Sequence, residues 1–340
     1  MRLFSGRLQC APKDLLLKEE ATVKRTATFL FLGLFTLAVV ATEAPFSNNV
    51  GDLHELDTKY ESPFNVNLNE WFATHPLPAG QTTPRMDVVF QTPRVLVLSL
   101  TIKGNFPLHF HTSSDEILIP IKGKCREYVD GKWTWMQPGD VHYNPRGVIH
   151  GVQCDEGMEF QSFDIFTPAP PPGGDRVFLD SEKGHAKPGD VVGDWALVDT
   201  QFKSGAIINA DDWYAGHPIA AGQTMRVDLP MGTPRNQMVL AQKPALQAHY
   251  HGSSDEIIYV YKGVGEELIK GQWVKLKAGE IHFCPRGFIH AIRPVSDDFK
   301  ILAVFTPPQA NGSDRIFVKL DAGPSAAAEK PATATPPPAK

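Results

Sequence analysis

The sequence predicts an all-β protein made of two copies of one β-sandwich or β-barrel. Two observations carry this prediction. The chain repeats itself after about 140 residues, and each copy consists of short runs of branched apolar residues separated by glycine and proline. No stretch after the N-terminal segment keeps a helical apolar period over three turns. Because the repeat is too long for a solenoid, we expect each copy to be a globular unit.

The N-terminal segment has the pattern of a secretory signal peptide. Lys24 and Arg25 precede an apolar run at 27–41 that ends in small residues. The run is shorter than the roughly 20 residues that a membrane-spanning helix needs. We therefore expect residues 1–44 to be a signal peptide, with Val23 as a candidate natural start. The protein would then be exported, to the periplasm or the medium, with no membrane attachment after cleavage. An uncleaved N-terminal anchor is the alternative.

The duplication defines the two predicted domains, residues 45–183 and 184–322. Four segments of the first copy recur in the second, at 69–81, 109–124, 138–151 and 173–179, and again at 211–223, 249–264, 278–291 and 312–318. Each copy begins with a tryptophan and a histidine that we interpret as packing elements at the barrel end, namely Trp71 with His75 and Trp213 with His217.

Two segments outside the repeat are predicted to lack a core of their own. A polar stretch at 181–190 links the domains. Residues 323–340 are rich in alanine and proline, which predicts a disordered tail.

Composition narrows the class of partner. The chain is 42% hydrophobic and 21% charged, with a formal net charge of −5. A protein that binds nucleic acid or anionic lipid usually has an excess of basic residues, and this chain has none. We therefore expect a small-molecule substrate and no nucleic-acid partner. The sequence leaves homo-oligomer formation open.

Three histidines and one glutamate in each copy have the spacing of a metal site. His109 and His111 are two residues apart, so on a strand they share one face. Glu116 follows across a short turn, and His150 comes from a distant strand. Three neutral imidazoles and a carboxylate suit a divalent first-row metal ion. The second copy repeats the set with His249, His251, Glu256 and His290.

At these residues the chain resembles the cupin superfamily, specifically its two-domain bicupins. The first cupin motif, Gly-x5-His-x-His-x4-Glu-x6-Gly, is matched from the first histidine onward in both copies, ending at Gly123 and Gly263. Its leading glycine is shifted by one in the first copy and absent from the second. The second motif, Gly-x5-Pro-x-Gly-x2-His, is matched fully in both, by Gly139, Pro145, Gly147 and His150 and by Gly279, Pro285, Gly287 and His290.

The resemblance implies two double-stranded β-helix (jelly-roll) barrels with one divalent transition metal ion each. Fe(II) is favoured and Mn(II) comes next. It also implies that the strands of Cys125 and Cys154 are neighbours, so we expect a disulfide there in the first domain alone.

Strand parity predicts further polar groups beside each metal. His142 and Asn144 would face one cavity, and His282 with Cys284 would face the other. His142, Asn144 and His282 are therefore candidate catalytic residues for proton transfer. The alternative is a hydrogen-bonded structural histidine.

Three residues are candidate substrate contacts in the first domain. Phe106 and Leu108 directly precede the ligands, and no arginine stands there in either copy, which favours a larger and less charged substrate than a small dicarboxylate. Arg146, at the tip of the Pro-x-Gly turn, either clamps a substrate carboxylate or is a solvated charge at the rim.

The resemblance leaves three classes of function open. These are a metal-dependent dioxygenase, a manganese-dependent decarboxylase of the oxalate-decarboxylase type or an isomerase, and a binding protein without turnover. We favour a dioxygenase-like oxidoreductase. We expect catalysis in the first domain, because Asn144 becomes Cys284 and the strand FQSFDIF becomes the less polar FKILAVF in the second.

Overall fold

The computed structural model describes residues 64–81, 83–129, 132–179, 206–269, 271–309 and 313–319. The predicted signal peptide (1–44, with Val23 as its candidate start), the link at 181–190 and the tail at 323–340 lie outside the described residues. Within the described residues, no helix has the length and apolar character needed to cross a membrane.

Nearly all the regular structure in the described chain is strand, as the short branched runs predict. The first copy contains β1 (Phe64–Asn67), α1 (Leu68–Thr74), β2 (Arg85–Gln91), β3 (Leu96–Ile102), β4 (Asn105–His111), β5 (Asp115–Lys122), β6 (Cys125–Val129), β7 (Lys132–Met136), β8 (Asp140–Asn144), β9 (His150–Cys154), β10 (Phe160–Thr167) and β11 (Arg176–Phe178). The second contains β12 (Ala206–Asn209), α2 (Ala210–Gly216), β13 (Arg226–Gly232), β14 (Gln237–Gln242), β15 (Leu246–His251), β16 (Asp255–Lys262), β17 (Val264–Ile269), β18 (Gln272–Lys277), β19 (Glu280–Cys284), β20 (His290–Pro294), β21 (Lys300–Thr306) and β22 (Arg315–Phe317).

Each copy forms a jelly-roll barrel of one six-stranded and one five-stranded sheet. In the first barrel the orders are β12-β8-β5-β10-β3-β2 and β11-β4-β9-β6-β7. In the second they are β1-β19-β16-β21-β14-β13 and β18-β17-β20-β15-β22. The prediction of an all-β protein with two tandem barrels is therefore confirmed.

The barrels exchange one strand each. β1 belongs to the first copy by sequence but pairs with β19 of the second barrel, with Asn65 opposite His282. β12 pairs in return with β8 of the first barrel, with Ile207 opposite His142. The domain boundaries predicted at 45–183 and 184–322 follow the sequence duplication. The sheets do not, because each six-stranded sheet includes one strand from the other copy.

The two short helices follow directly after the exchanged strands. The side chain of Asn67 accepts a hydrogen bond from the backbone N–H of Glu70 and so caps α1, as Asn209 caps α2. The ring of Trp71 in α1 stacks on that of His75, the residue directly after the helix, with centroids 4.1 Å apart. Trp71 packs against the apolar core between the barrels, and Trp213 of α2 does the same.

The largest apolar core lies between the barrels, not inside either one. It joins residues of both six-stranded sheets, such as Ile117 and Phe163 of the first barrel with Ile257 and Phe283 of the second. A smaller core fills the interior of each barrel. Since burial of apolar area is the main favourable term in folding, the barrels stabilise one another.

Ion pairs reinforce this junction. The buried carboxylate of Asp115 accepts from Arg235 of the other barrel at 2.6 Å. The equivalent Asp255 accepts from Arg94, with Arg94 Nη2 3.0 Å from Oδ1. Both aspartates come from the Ser-Ser-Asp-Glu turn, so the residue before each glutamate ligand connects its own site to the other barrel.

The predicted disulfide is confirmed. Cys125 of β6 and Cys154 of β9 are directly opposite one another, with Cα atoms 4.4 Å apart, and their sulfur atoms are bonded. At the equivalent positions the second barrel pairs Gly265 with Pro294. The bridge therefore belongs to the first barrel alone.

Candidate metal centres

The strand arrangement brings the four ligand candidates of the first copy into the barrel interior. His109 and His111 lie on β4, and Glu116 lies two residues into the buried strand β5. His150 begins β9 directly opposite His109. Gly147, with φ of 80°, donates its backbone N–H to the carbonyl oxygen of His111 at 2.7 Å, which ties the Pro-x-Gly turn to the ligand strand.

In both barrels these side chains converge. One ligand atom from each of His109, His111, Glu116 and His150 lies within 4.8 Å of the others. In the second barrel the three histidines His249, His251 and His290 meet the same condition. Glu256 Oε2 adds a fourth donor, 3.3 Å from His251 Nε2 and 3.0 Å from His290 Nε2. Two groups that could hold a metal are therefore present, one per barrel.

The protonation pattern of the imidazoles fits metal ligation. His109, His150, His249 and His290 each place Nδ1 within hydrogen-bond distance of a backbone carbonyl oxygen two residues earlier, at 2.7–3.1 Å. Nδ1 then carries the proton, and the lone pair is on Nε2. Nε2 of His111, His150, His251 and His290 is buried without a hydrogen-bond partner. Such orphaned acceptors facing one carboxylate match the donor set of a divalent cation.

Two aspartates orient the remaining histidines. Asp175 Oδ1 lies 2.7 Å from His111 Nδ1, and Asp314 Oδ1 lies 2.7 Å from His251 Nδ1. The other oxygen of Asp175 accepts from Ser113 and from the backbone N–H of Ser114, so it also fixes the turn before Glu116. Sequence reasoning missed both aspartates. The repeated GGDR and GSDR segments were the available signal, but they predicted only the extent of the duplication.

Burial and mutual charge set the ionisation of the first centre. Burial lowers the pKa of His109 well below its ordinary value, and His150 and His111 lower it further. Burial alone would raise the pKa of Glu116, but His150 and His111 outweigh it and lower that pKa. Burial would lower the pKa of His150, but Glu116 outweighs it and raises that pKa. Metal binding requires His150 to release this proton while Glu116 stays ionised.

The candidate catalytic residues form a second buried group. His142 Nδ1 is hydrogen-bonded to Glu127 Oε2, and Asn144 Nδ2 donates to Glu127 Oε1 at 2.8 Å. Asn144 also reaches the ligand Glu116 at 3.4 Å. Glu127 comes from β6 on the five-stranded sheet, so its contact with His142 on β8 crosses the barrel. Sequence reasoning missed Glu127, because a single glutamate on an alternating strand looks like a solvated residue.

The second barrel has the same group with one change. Glu267 lies 2.9 Å from Nδ1 of the predicted residue His282. Cys284 occupies the position of Asn144 and places Sγ 3.0 Å from the same carboxylate. Burial raises the pKa of Cys284 well above its ordinary value, so the thiol stays protonated.

The barrels also differ between the equivalent strands β10 and β21. β10 of the first barrel buries Ser162 and Asp164, which are 2.9 Å apart, where the second barrel has Ile301 and Ala303. Burial and the nearby Glu116 raise the pKa of Asp164 well above its ordinary value. The first interior therefore contains a carboxyl group with a raised pKa, and the second lacks one at this position.

The three candidate substrate contacts occupy different surroundings. The Phe106 ring lies 5.0 Å from the ring of His109. Leu108 packs against Gly151. A Cβ atom on residue 151 would lie only 3.0 Å from Leu108 Cδ2. Arg146 is only 6% exposed and its Nε lies 3.1 Å from Asp115 Oδ1. The guanidinium is thus buried and paired with an acidic side chain, and it is not a solvated charge at the rim.

Comparisons with known proteins agree with this architecture. The model of the cupin domain matches residues 97–166 and 236–305, one stretch in each barrel. An uncharacterized protein of Aquifex aeolicus is 35% identical over 85 residues, which cover 25% of this chain and 69% of that protein.

Solved structures share the fold. A variant of salicylate 1,2-dioxygenase from Pseudoaminobacter salicylatoxidans, in complex with gentisate, is 14% identical with a TM-score of 0.56, covering 76% of this chain and 86% of its own. Another structure of that enzyme gives 14% identity and a TM-score of 0.55, covering 75% and 87%. At such low identity the likeness concerns the fold alone. With two cupin domains, each built around its own histidine and glutamate group, the chain belongs to the cupin superfamily as a bicupin.

Proposed function

We propose that this bicupin is a metal-dependent oxidoreductase of the dioxygenase type, acting on a small organic molecule in its first barrel. The observation that carries the proposal is the buried polar group beside the first metal centre. Asn144 connects the ligand Glu116 to Glu127, which is also hydrogen-bonded to His142, and Asp164 lies near enough for Glu116 to raise its pKa. The second barrel replaces Asn144 by Cys284 and has alanine in place of Asp164.

Divalent iron held by His109, His111, Glu116 and His150 would supply redox and Lewis-acid chemistry. The protein itself supplies orientation and protons. Asp175 fixes the His111 ring, and the apolar walls of the interior exclude water. Burial raises the pKa of Asp164 well above its ordinary value, which favours the protonated acid that can donate a hydrogen bond to a reacting oxygen. Salicylate 1,2-dioxygenase shares this fold, so the barrel is compatible with the reaction class.

A comparison of two variants tests the assignment. His111→Ala and His251→Ala each remove one ligand from equivalent centres. We expect both to lose about one metal equivalent, and only His111→Ala to abolish oxygen uptake with phenolic and enolic substrates. Loss of turnover in His251→Ala alone would contradict the assignment to the first barrel. Carbon dioxide release without oxygen uptake would instead support the manganese-dependent decarboxylase.

We also propose that the mature protein works in an oxidising compartment, exported to the periplasm or the medium. The Cys125–Cys154 bridge supports this, since structural disulfides persist outside the reducing cytoplasm. The basic flank and apolar run at 24–41 agree with it. N-terminal sequencing of protein from the export fraction is expected to start after residue 41 or 44. Retention of residues 1–20 would contradict the proposal.

A further inference from the structure

One arginine lies on a strand outside both cupin motifs, directly opposite a ligand of the first metal centre. β11 runs antiparallel to β4, with Arg176 opposite His111 and Phe178 opposite His109. Directly opposed residues of an antiparallel pair place their side chains on the same face of the sheet. Arg176 and Phe178 therefore face the same side as the two metal-ligand histidines.

Among the described residues, no carboxylate lies within ion-pair distance of the Arg176 guanidinium, although the charge of Arg176 partly offsets the rise in the pKa of the nearby buried Asp164. Arg176 Nη1 lies 3.2 Å from the sulfur of Met86, and its central carbon lies 5.4 Å from the ring centre of Phe106 and 5.8 Å from that of Phe166. Its Nε is buried without a hydrogen-bond partner, and Arg176 makes no ion pair within the described ranges. A buried guanidinium nitrogen with an unused donor is unfavourable unless a ligand completes it.

Aromatic rings complete the surroundings of this cation. Phe106 and Phe178 lie 5.0 and 5.6 Å from the His109 ring, and Phe166 lies 5.0 Å from the His111 ring. Phe178 is 55% exposed, so it stands where the site meets solvent. An apolar wall next to a positive charge matches a flat organic molecule that carries one anionic group.

We infer that Arg176 is the anion anchor of the first centre, and that this site takes planar organic carboxylates. The carboxylate would accept two hydrogen bonds from the guanidinium fork, and the flat body would lie against Phe106 and Phe178. The sequence has no arginine directly before the first motif. Arg176 of β11 supplies the cation instead. The inference rests on the proposed function insofar as the bound carboxylate is the substrate.

The second barrel offers a matched control. Arg315 is equivalent to Arg176, pairs with His251 in the same way and also has a buried Nε without a partner. However, Leu246 occupies the position of Phe106. The second site therefore keeps Phe305 and Phe317 but lacks one of the three rings, and we assign the carboxylate site to the first barrel.

Calorimetric titration of the metal-loaded protein with benzoate, and with neutral benzamide as a matched probe, tests the inference. We expect benzoate to bind the wild type more tightly than benzamide does. Arg176→Met should weaken benzoate binding at least tenfold and leave benzamide unchanged. Arg176→Lys, which keeps the charge but not the planar fork, should be intermediate, and Arg315→Met should match the wild type.

Metal content and oxygen uptake, measured on the same samples, separate the two proposals. If benzoate binding depends on Arg176 but no substrate causes oxygen uptake, the carboxylate site is supported. The same result counts against the dioxygenase proposal. Three results would overturn the inference: no benzoate binding to the wild type, no effect of both Arg176 variants, or an equal loss in Arg315→Met. Should Arg176→Met fail to fold, Arg176→Lys against Arg315→Lys gives the same comparison.

Discussion

The position of a single proton on each histidine determines whether these sites can bind metal. Asp175 and Asp314 accept from Nδ1 of His111 and His251, which leaves Nε2 free to act as a ligand. Burial would raise the pKa of Asp175, but the hydrogen bond and charge of His111 outweigh it and lower that pKa. Asp175 therefore stays ionised at neutral pH and holds the ring orientation continuously.

We expect Asp175→Asn to weaken metal binding at the first centre by about 10–100-fold, because the amide no longer supports the His111 ring electrostatically. Asp314→Asn should have the same effect on the second centre alone. Competition with a chromophoric chelator, with each variant placed in a His251→Ala or His111→Ala background, reports one centre at a time. Equal affinity in Asp175→Asn and the wild type would contradict this role.

The ligands could be predicted from sequence, whereas the groups that support them could not. His109, His111 and Glu116 are close in the chain, so strand periodicity places them together. Asp175 is 64 residues from His111, and only the pairing of β11 with β4 brings it there. Glu127 and Arg176 escaped prediction for the same reason, since each acts across the barrel or across a strand pair.

At the scale of strands, the first barrel contains a covalent link that the second lacks. The disulfide joins β6 and β9, the strands that carry Glu127 and His150. It closes a loop with a sequence separation of 29 residues. The neighbouring-strand argument predicted it, because strand order in the barrel follows from the fold class.

Removing the bridge with the double variant Cys125→Ala/Cys154→Ala should lower the free energy of unfolding by about 3–4 kcal/mol, since the open loop gains conformational entropy in the unfolded chain. Urea unfolding under oxidising conditions measures the change. Adding a reductant should destabilise the wild type by a similar amount and leave the double variant unaffected. A wild type insensitive to complete reduction would count against a stabilising role.

At the scale of the whole molecule, the barrels behave as one folding unit. β1 and β12 each complete the sheet of the other barrel, and the largest apolar core lies between the six-stranded sheets. The duplication predicted two units but not this exchange. The motif spacing is the same whether β1 pairs within its own barrel or with the other one, so the sequence repeat contains no signal for it.

Asp255→Asn should therefore destabilise both barrels together. The change leaves Arg94 and Arg286 facing a neutral amide in a buried position, which costs about 3–5 kcal/mol. Asp115→Asn, at the equivalent place, is the matched variant. Thermal unfolding followed by calorimetry should show one transition, shifted down in each variant. Two separate transitions, with only one of them shifted, would mean that the barrels fold independently.

The claim that each barrel holds a divalent metal ion is tested most directly by elemental mass spectrometry. The protein is purified from the export fraction without added metal, alongside His111→Ala and His251→Ala. We expect about two metal equivalents per chain, with iron as the main element, and about one in each variant. Folded wild-type protein without metal, which also takes up none on titration with Fe(II) or Mn(II), would contradict the account.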